Sequence, residues 1–214
     1  MTEPDAEPEA GPPEVHVLRD GTKVMVRPLE ASDRDALARG FAQLSPSSRR
    51  LRFFSPVDAL TPAQLDYLTD VDHERHDAIG AILIDDAGAP GEGVGVGRWI
   101  RLDDDPRKAE IAVTVLDEYQ GRGIGTLLIG TLAQRAIDRG VETFVAQVLW
   151  ENIGWLESLR SIGARVEPDE AGVARIEFDL NLPPATQETV LRRVLREVAT
   201  WLAELRAKAE AERT

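Results

Sequence analysis

The 214 residues contain no cysteine. That excludes disulfides, thiolate nucleophiles and Cys-ligated metals, and it suits a reducing compartment, so the expected location is cytoplasmic. No apolar run approaches the ~18 residues that a membrane-spanning helix needs. The opening residues are acidic and Pro-rich and lack the apolar stretch of a secretory leader, so no membrane association is expected. Bases are scarce: 25 Lys and Arg face 38 Asp and Glu, a net charge of −13. Such a chain lacks the basic face that nucleic-acid binding requires, and its field favours cationic partners such as amines. Aromatics make up only 5%. The rest is ordinary for a globular chain, enough for one domain of roughly 150–200 residues plus tails.

Three segments are expected. Residues 1–14 carry five acids, four prolines and no base, and read as a disordered tail. Residues 15–182 form the domain. Beyond the Pro183–Pro184 break, residues 183–214 read as an amphipathic helix whose stripe includes Leu191, Leu195, Val198 and Leu202. That helix either docks on its own domain or pairs with a second copy as a homodimer.

Within the domain, alternation predicts a strand pair around the Asp20–Gly21 turn. A helix capped by Ser32 follows, with Leu37, Phe41 and Leu44 on one face. Residues 47–54 read as a short helix or ordered loop, and Thr61–Pro62 opens a helix to residue 69. Strands are expected at 78–84, 94–102 and 110–115, the last two as a hairpin over 103–108. A helix runs from Gly125 to a stop at Gly140. A strand at 144–149, a helix from Asn152 to Gly163 and a final hairpin complete the domain.

The most informative stretch is Gln120-Gly121-Arg122-Gly123-Ile124-Gly125-Thr126. It follows a strand and opens an amphipathic helix. Glycines permit a tight turn and close approach of a ligand. The first helical turn leaves N–H groups unpaired, with a dipole that favours anions, and Arg122 adds a positive charge. The stretch therefore reads as a pyrophosphate site. It is not a Walker loop, which needs Gly-Lys-Ser/Thr. A dinucleotide fingerprint fits poorly, because several strands and a hairpin precede it.

This turn, with the strand Glu110–Val115 before it and Asn152 after the next strand, resembles the acetyl-CoA-binding motif of the GNAT acyltransferase superfamily (Gln/Arg-x-x-Gly-x-Gly/Ala). The likeness spans about residues 22–180. The segments Arg27-Pro28-Leu29, Leu44–Phe54 and Ala109–Val115 look like the bacterial Pat-type protein lysine acetyltransferases. The resemblance implies an α/β (α+β) fold, a mixed, twisted sheet of about seven strands flanked by helices, with the C-terminal helix as an extra. It implies acetyl-CoA as co-substrate, no metal, and acetyl transfer to a primary amine, with a protein lysine as the leading acceptor. A small amine or amino acid is the nearest alternative. A non-catalytic acyl-CoA sensor is a reading of another class.

For the residues, the resemblance implies that the backbone at Val113 and Val115 holds the pantetheine arm. Gln120, Gly121, Arg122, Gly123, Ile124, Gly125 and Thr126 would bind the pyrophosphate. Asn152 either contacts the arm or caps its helix. Glu110 is the candidate general base. An amine with a pKa near 10.4 is almost wholly protonated at neutral pH, so a base is useful. The competing reading of Glu110 is a solvated charge at a strand end. The family often places a Tyr seven residues after the Asn to protonate the leaving thiolate; here that position is Leu159, so no general acid is named.

Other clusters carry weaker signals. His73 and His76 at i, i+3 lack a third metal ligand of recognisable spacing. Arg49, Arg50 and Arg52 beside Phe53–Phe54 read either as a lid over the site or as a helix with aromatics packed and arginines solvated. Gly93, Gly95 and Gly97 alternate with Val, marking a strand that another backbone or a ligand approaches closely.

Overall fold

The computed structural model describes residues 11–161, 164–169 and 172–180. The proposed C-terminal helix, and with it the homodimer reading, lies outside these residues. So do residues 1–10 of the tail, while Glu14 already belongs to the first strand.

β1 (Glu14–Val17) and β2 (Lys23–Pro28) pair antiparallel across the expected turn, where Gly21 adopts a φ of 84°. A 3-10 turn at Ala31–Asp33 leads into α1 (Arg34–Gln43). The anchor of this corner is Asp33 rather than the expected Ser32. Its carboxylate accepts from Glu30 N–H at 2.9 Å and from two Arg27 nitrogens at 2.7 and 2.5 Å. A charge-assisted, two-pronged contact is roughly twice as strong as a neutral one, so it outcompetes a hydroxyl cap.

The segment left open as helix or loop is helical. α2 (Pro46–Phe53) starts on Ser45, whose Oγ accepts from Ser48 N–H at 3.1 Å, with Pro at the first position. It ends at Phe54, whose φ of 57° is left-handed. That turn leaves Phe54 exposed, whereas Phe53 packs edge-on against Phe41 at 5.5 Å. α3 (Pro62–Thr69) opens with a reciprocal box: Gln64 N–H donates to Thr61 Oγ1, and Thr61 N–H donates to Gln64 Oε1.

β3 (His76–Ile84), β4 (Pro90–Arg101) and β5 (Lys108–Val115) continue the antiparallel run. α4 (Ile124–Asp138) then crosses over, and β6 (Thr143–Leu149) joins β5 in parallel. α5 (Ile153–Ser161), β7 (Arg165–Pro168) and β8 (Val173–Asp179) follow. Among the described residues eight strands form one sheet in the order β1-β2-β3-β4-β5-β6-β8-β7. The resemblance implied about seven; the first strand pair and the final hairpin that alternation predicts both form, which makes eight.

α4 covers one face. Ile124, Leu128, Leu132 and Ala136, spaced by four, are all buried. They press on β4 where it has no side chains. A Cβ on Gly97 would stand 2.8 Å from Leu132 Cδ1, and one on Gly95 would stand 3.1 Å from Leu128 Cδ1. The close approach announced by the Gly-Val alternation is therefore that of a helix. Asp77 is fully buried on this face, accepting from Arg135 of α4 at 2.7 and 2.9 Å and from His73 Nδ1–H at 2.8 Å. α1, α2 and α3 stand over the opposite face.

Candidate active site

The site begins where the sheet comes apart. β5 and β6 are paired only from Lys108↔Thr143 to Glu110↔Val145, although the strands run on to Val115 and Leu149. Leu116 N–H donates to Val94 O, towards β4. Alternation therefore turns the N–H and C=O groups of Val115 and Val113 the other way, into the widening gap. Their side chains pack against the α4 core. This strand can thus offer a ladder of backbone donors and acceptors to an extended amide-bearing ligand.

At the open end, a 3-10 turn (Asp117–Tyr119) leads to the glycine stretch. Gly121 and Gly123 adopt φ values of 72° and 95°, which a side chain would strain. Gly123 caps α4 with no side chain. The N–H groups of Ile124, Gly125 and Thr126 precede the first intrahelical bond, Leu127 N–H to Gly123 O at 3.0 Å. The Ile124 and Thr126 side chains are buried, so what they present to the site is backbone. Arg122 lies at the mouth, over the Tyr119 ring, donating to Glu118 O at 3.1 Å and 3.9 Å from Asp20. Gln120 acts inward: its Nε2 donates to Val115 O at 3.0 Å and to Ser48 Oγ at 3.3 Å, holding the turn against β5 and α2.

Three residues that sequence reasoning passed over complete this junction. Asp117 accepts from Ser45 N–H at 3.0 Å, Ser45 Oγ at 2.7 Å and Ser48 Oγ at 2.8 Å. Burial pushes the Asp117 carboxyl up, but these hydrogen bonds outweigh it and hold it below its usual range. The start of α2 is thereby tied to the 3-10 turn that leads into the glycine stretch. Ser45 and Ser48 entered the sequence reading only as part of the Leu44–Phe54 segment, and Asp117 carried no local signal.

Across the gap, Asn152 stands where β6 gives way to α5. Its carbonyl accepts from Leu156 N–H at 3.1 Å, so it occupies the cap position of that helix. Leu159, where the family often has a Tyr, packs with Leu156, Val148 and Ala164. That position contributes packing and no hydroxyl.

Glu110 lies at the apex of the gap, exposed, in the last registered pair with β6. Cross-strand register places it on the α1–α3 face in a row with Ile100 and His76. The next row is Ala112, Arg98 and Ala78; the one after is Thr114, Val96 and Gly80. Ala112, Arg98, Thr114, Val96 and Gly80 of these two rows floor a cavity of about 380 Å³ walled by α1 to α3, with Leu37, Phe41, Arg52 and Phe53 in its lining. His76 is buried, and burial with the nearby Arg98 charge pushes its pKa down to about 4. It is therefore neutral at pH 7, and its Nε2 faces Arg98 at 3.0 Å. The two histidines are thus occupied separately, His73 on Asp77 and His76 on Arg98. Among the described residues no group of three or more His, Asp or Glu gathers as a metal site.

The three arginines of α2 part company. Arg49 donates to Asp58 O and Ala42 O, both at 2.9 Å, and Arg50 pairs with Glu151 at 3.2 Å. Arg52 turns into the cavity.

A splayed sheet with an inward-facing backbone edge beside a glycine-capped helix start can take an extended amide-bearing ligand along the strand and an anion at the helix start. The acetyltransferase (GNAT) family model matches residues 48–154, half of the chain, and the chain belongs to that family. The chain is 34% identical over 167 residues to acetyltransferase Pat of Mycolicibacterium smegmatis, covering 78% of this chain and 48% of that protein. It thus spans about half the length of this relative. The crystal structure of the GNAT domain of S. lividans PAT superposes with a TM-score of 0.70 at 29% identity, covering 78% of this chain and 96% of that domain. The structure of yncA from Salmonella typhimurium with its cofactor acetyl-CoA shares the fold with a TM-score of 0.57 at 16% identity, over 76% of this chain and 97% of that one.

Proposed function

We propose that this chain transfers an acetyl group from acetyl-CoA to a primary amine, with Glu110 as general base. The observation that carries the reading is the position of Glu110. Its carboxylate marks the point where β5 and β6 part, at the inner end of the backbone edge formed by Val113 and Val115. A pantetheine arm lying along that edge, with its pyrophosphate on the first turn of α4, would bring its acyl end toward Glu110. When bound, acetyl-CoA supplies an activated acyl group. The chain does the rest: the β5 amides orient the arm, residues 121–126 fix the phosphates, and Glu110 takes the proton that the amine must lose, directly or through one water. With Leu159 in place of a Tyr, that position supplies no proton to the departing thiolate.

For the acceptor, a lysine side chain of a protein is the leading reading, supported by the likeness of residues 44–54 and 109–115 to the Pat-type enzymes. A small amine is the second reading. The cavity of about 380 Å³ beside the Glu110 face favours it, since that volume suits a small acceptor.

The test is CoA release from acetyl-CoA over about pH 6–9, with wild type and Glu110→Gln, against a panel of amines and a bacterial protein lysate. The expected result is an amine-dependent rate that falls roughly 10²- to 10⁴-fold in the variant, with acetyl-CoA affinity unchanged by calorimetry. A variant as fast as wild type would remove Glu110 from the chemistry. Tight binding without turnover on any acceptor would favour a sensor instead.

A further inference from the structure

We propose that the cavity on the Glu110 face is an acceptor site for an amine that carries a carboxylate, held by Arg52 and Arg98 while its amino group reaches Glu110. The inference rests on the acetyltransferase reading and names the substrate class.

The charges in the cavity wall make the case. Four lining residues are ionisable: Arg27, Asp33, Arg52 and Arg98. Arg27 and Asp33 satisfy each other through two bonds. Arg98 is 5% exposed, and its two hydrogen-bond partners, Leu68 O and the neutral His76 ring, bring no negative charge. Arg52 has no hydrogen bond or ion pair to any described residue; its guanidinium lies 5.1 Å from the Phe53 ring. Glu110 is the one carboxylate whose charge it feels. Burial pushes the pKa of Arg52 down, and pushes that of Arg98 down to about 10, with Arg52 adding repulsion.

Two like charges are therefore gathered in a mostly apolar cavity, on a protein with a net charge of −13. Buried charges without a counter-ion are costly. A ligand carboxylate supplies that counter-ion, and guanidinium forks match carboxylates in shape. The register explains the reach. Arg98 stands one row from Glu110 across β4 and β5, and Arg52 reaches over the same face from α2. An amino acid with its carboxylate on the arginines thus directs its amine toward the Glu110 carboxylate. The same chemistry arises from a free amino acid or from an acidic side chain beside a lysine.

The experiment compares ω-amino acids, from β-alanine to aminocaproate, each with its neutral primary amide, using the full chain, acetyl-CoA, wild type and Arg52→Met. The wild type should prefer at least one acid over its amide by roughly tenfold or more in kcat/KM, the effect of a desolvated charged hydrogen bond. Arg52→Met should abolish that preference. It should also melt no lower than wild type, because the variant removes an uncompensated cation while keeping an apolar stem. A clear loss of melting temperature would mark Arg52 as structural and overturn the assignment. Lysine peptides flanked by Glu or by Gln form a second arm: a preference there alone keeps the recognition and makes the source a protein. A preference seen only when succinyl-CoA replaces acetyl-CoA would move the carboxylate to the acyl chain and sink the acceptor site. Transfer to amines with no preference in any arm refutes this inference while leaving the acetyltransferase reading standing. If no amine is acetylated, calorimetry of aminocaproate against its amide still decides the site, and equal binding overturns it.

Discussion

At the scale of single residues, His76 shows how a fold decides a side chain's charge. The sequence offers it as half of a His-x-x-His pair with acidic neighbours but no third metal ligand of recognisable spacing, which reads as a solvated loop. Register buries it on the cavity face, and with a pKa near 4 it stays neutral and faces Arg98. This has a signed consequence for stability. In the unfolded chain the imidazole binds its proton near 6.5; in the fold it does so only near 4. Between those values the unfolded state holds more protons, so His76 contributes fully above about pH 6.5 and its contribution is lost as pH falls towards 4. His76→Gln keeps an acceptor for Arg98 and removes the titration. Urea midpoints at about pH 7 and pH 5 should show the wild type losing more stability than the variant. Equal losses would assign the acid sensitivity to the carboxylates alone.

At the scale of elements, the governing contact is α4 on β4. The helix start that would hold the pyrophosphate is placed by how deeply α4 sinks onto Gly95 and Gly97, and a Cβ on Gly97 would also come within 3.3 Å of Val113 Cγ2. Gly97→Ala should therefore destabilise by about 1–3 kcal/mol as Leu132 is forced aside. It should weaken acetyl-CoA binding as well, since it disturbs both α4 and the strand edge. Gly93→Ala, whose Cβ meets nothing within 4 Å, is the matched control and should be neutral in thermal melts. Equal melting temperatures for the two variants would refute this view of the packing. The same glycines show what could be read in the chain itself. Alternation announced a strand that something approaches closely, but periodicity cannot say what approaches, and the answer was a helix thirty residues on. The turn at 120–126, the strand before it and the helix after it were legible because their chemistry is local: glycine torsions, an uncapped helix start, a change from period two to period three and a half. The rows joining Glu110 to His76, and Ala112 to Arg98, were not legible. They depend on strand register, which is fixed by partners far away in sequence. Arg52 was legible only as one of three basic residues in a short helix; which of them faces inward follows from how α2 is pinned by Asp117.

At the scale of the molecule, the sheet is two leaves joined by a short seam. β1 to β5 share one large core with α4, while Val148, Leu156, Ala164, Ala174 and Ile176 form a second core on the far side of the gap. Only the pairs from Lys108↔Thr143 to Glu110↔Val145 bridge the leaves as a ladder between β5 and β6. Backbone hydrogen bonds near a free strand end open more readily than those inside a sheet. In the ligand-free chain, amide exchange should therefore be faster in β6 beyond Val145 and in the start of α5 than in β3 and β4. A ligand seated in the gap touches both leaves and stabilises the folded state by mass action, about 2.7 kcal/mol at a hundredfold excess over Kd. Hydrogen exchange with and without acetyl-CoA reads this directly. The expected pattern is slowed exchange on both sides of the gap, at residues 111–115 and 146–153 as well as at the start of α4, with a higher melting temperature. Protection confined to residues 120–127 would mean that the ligand is held only by its phosphates and does not enter the seam, and Glu110 would then have no acyl group within its reach.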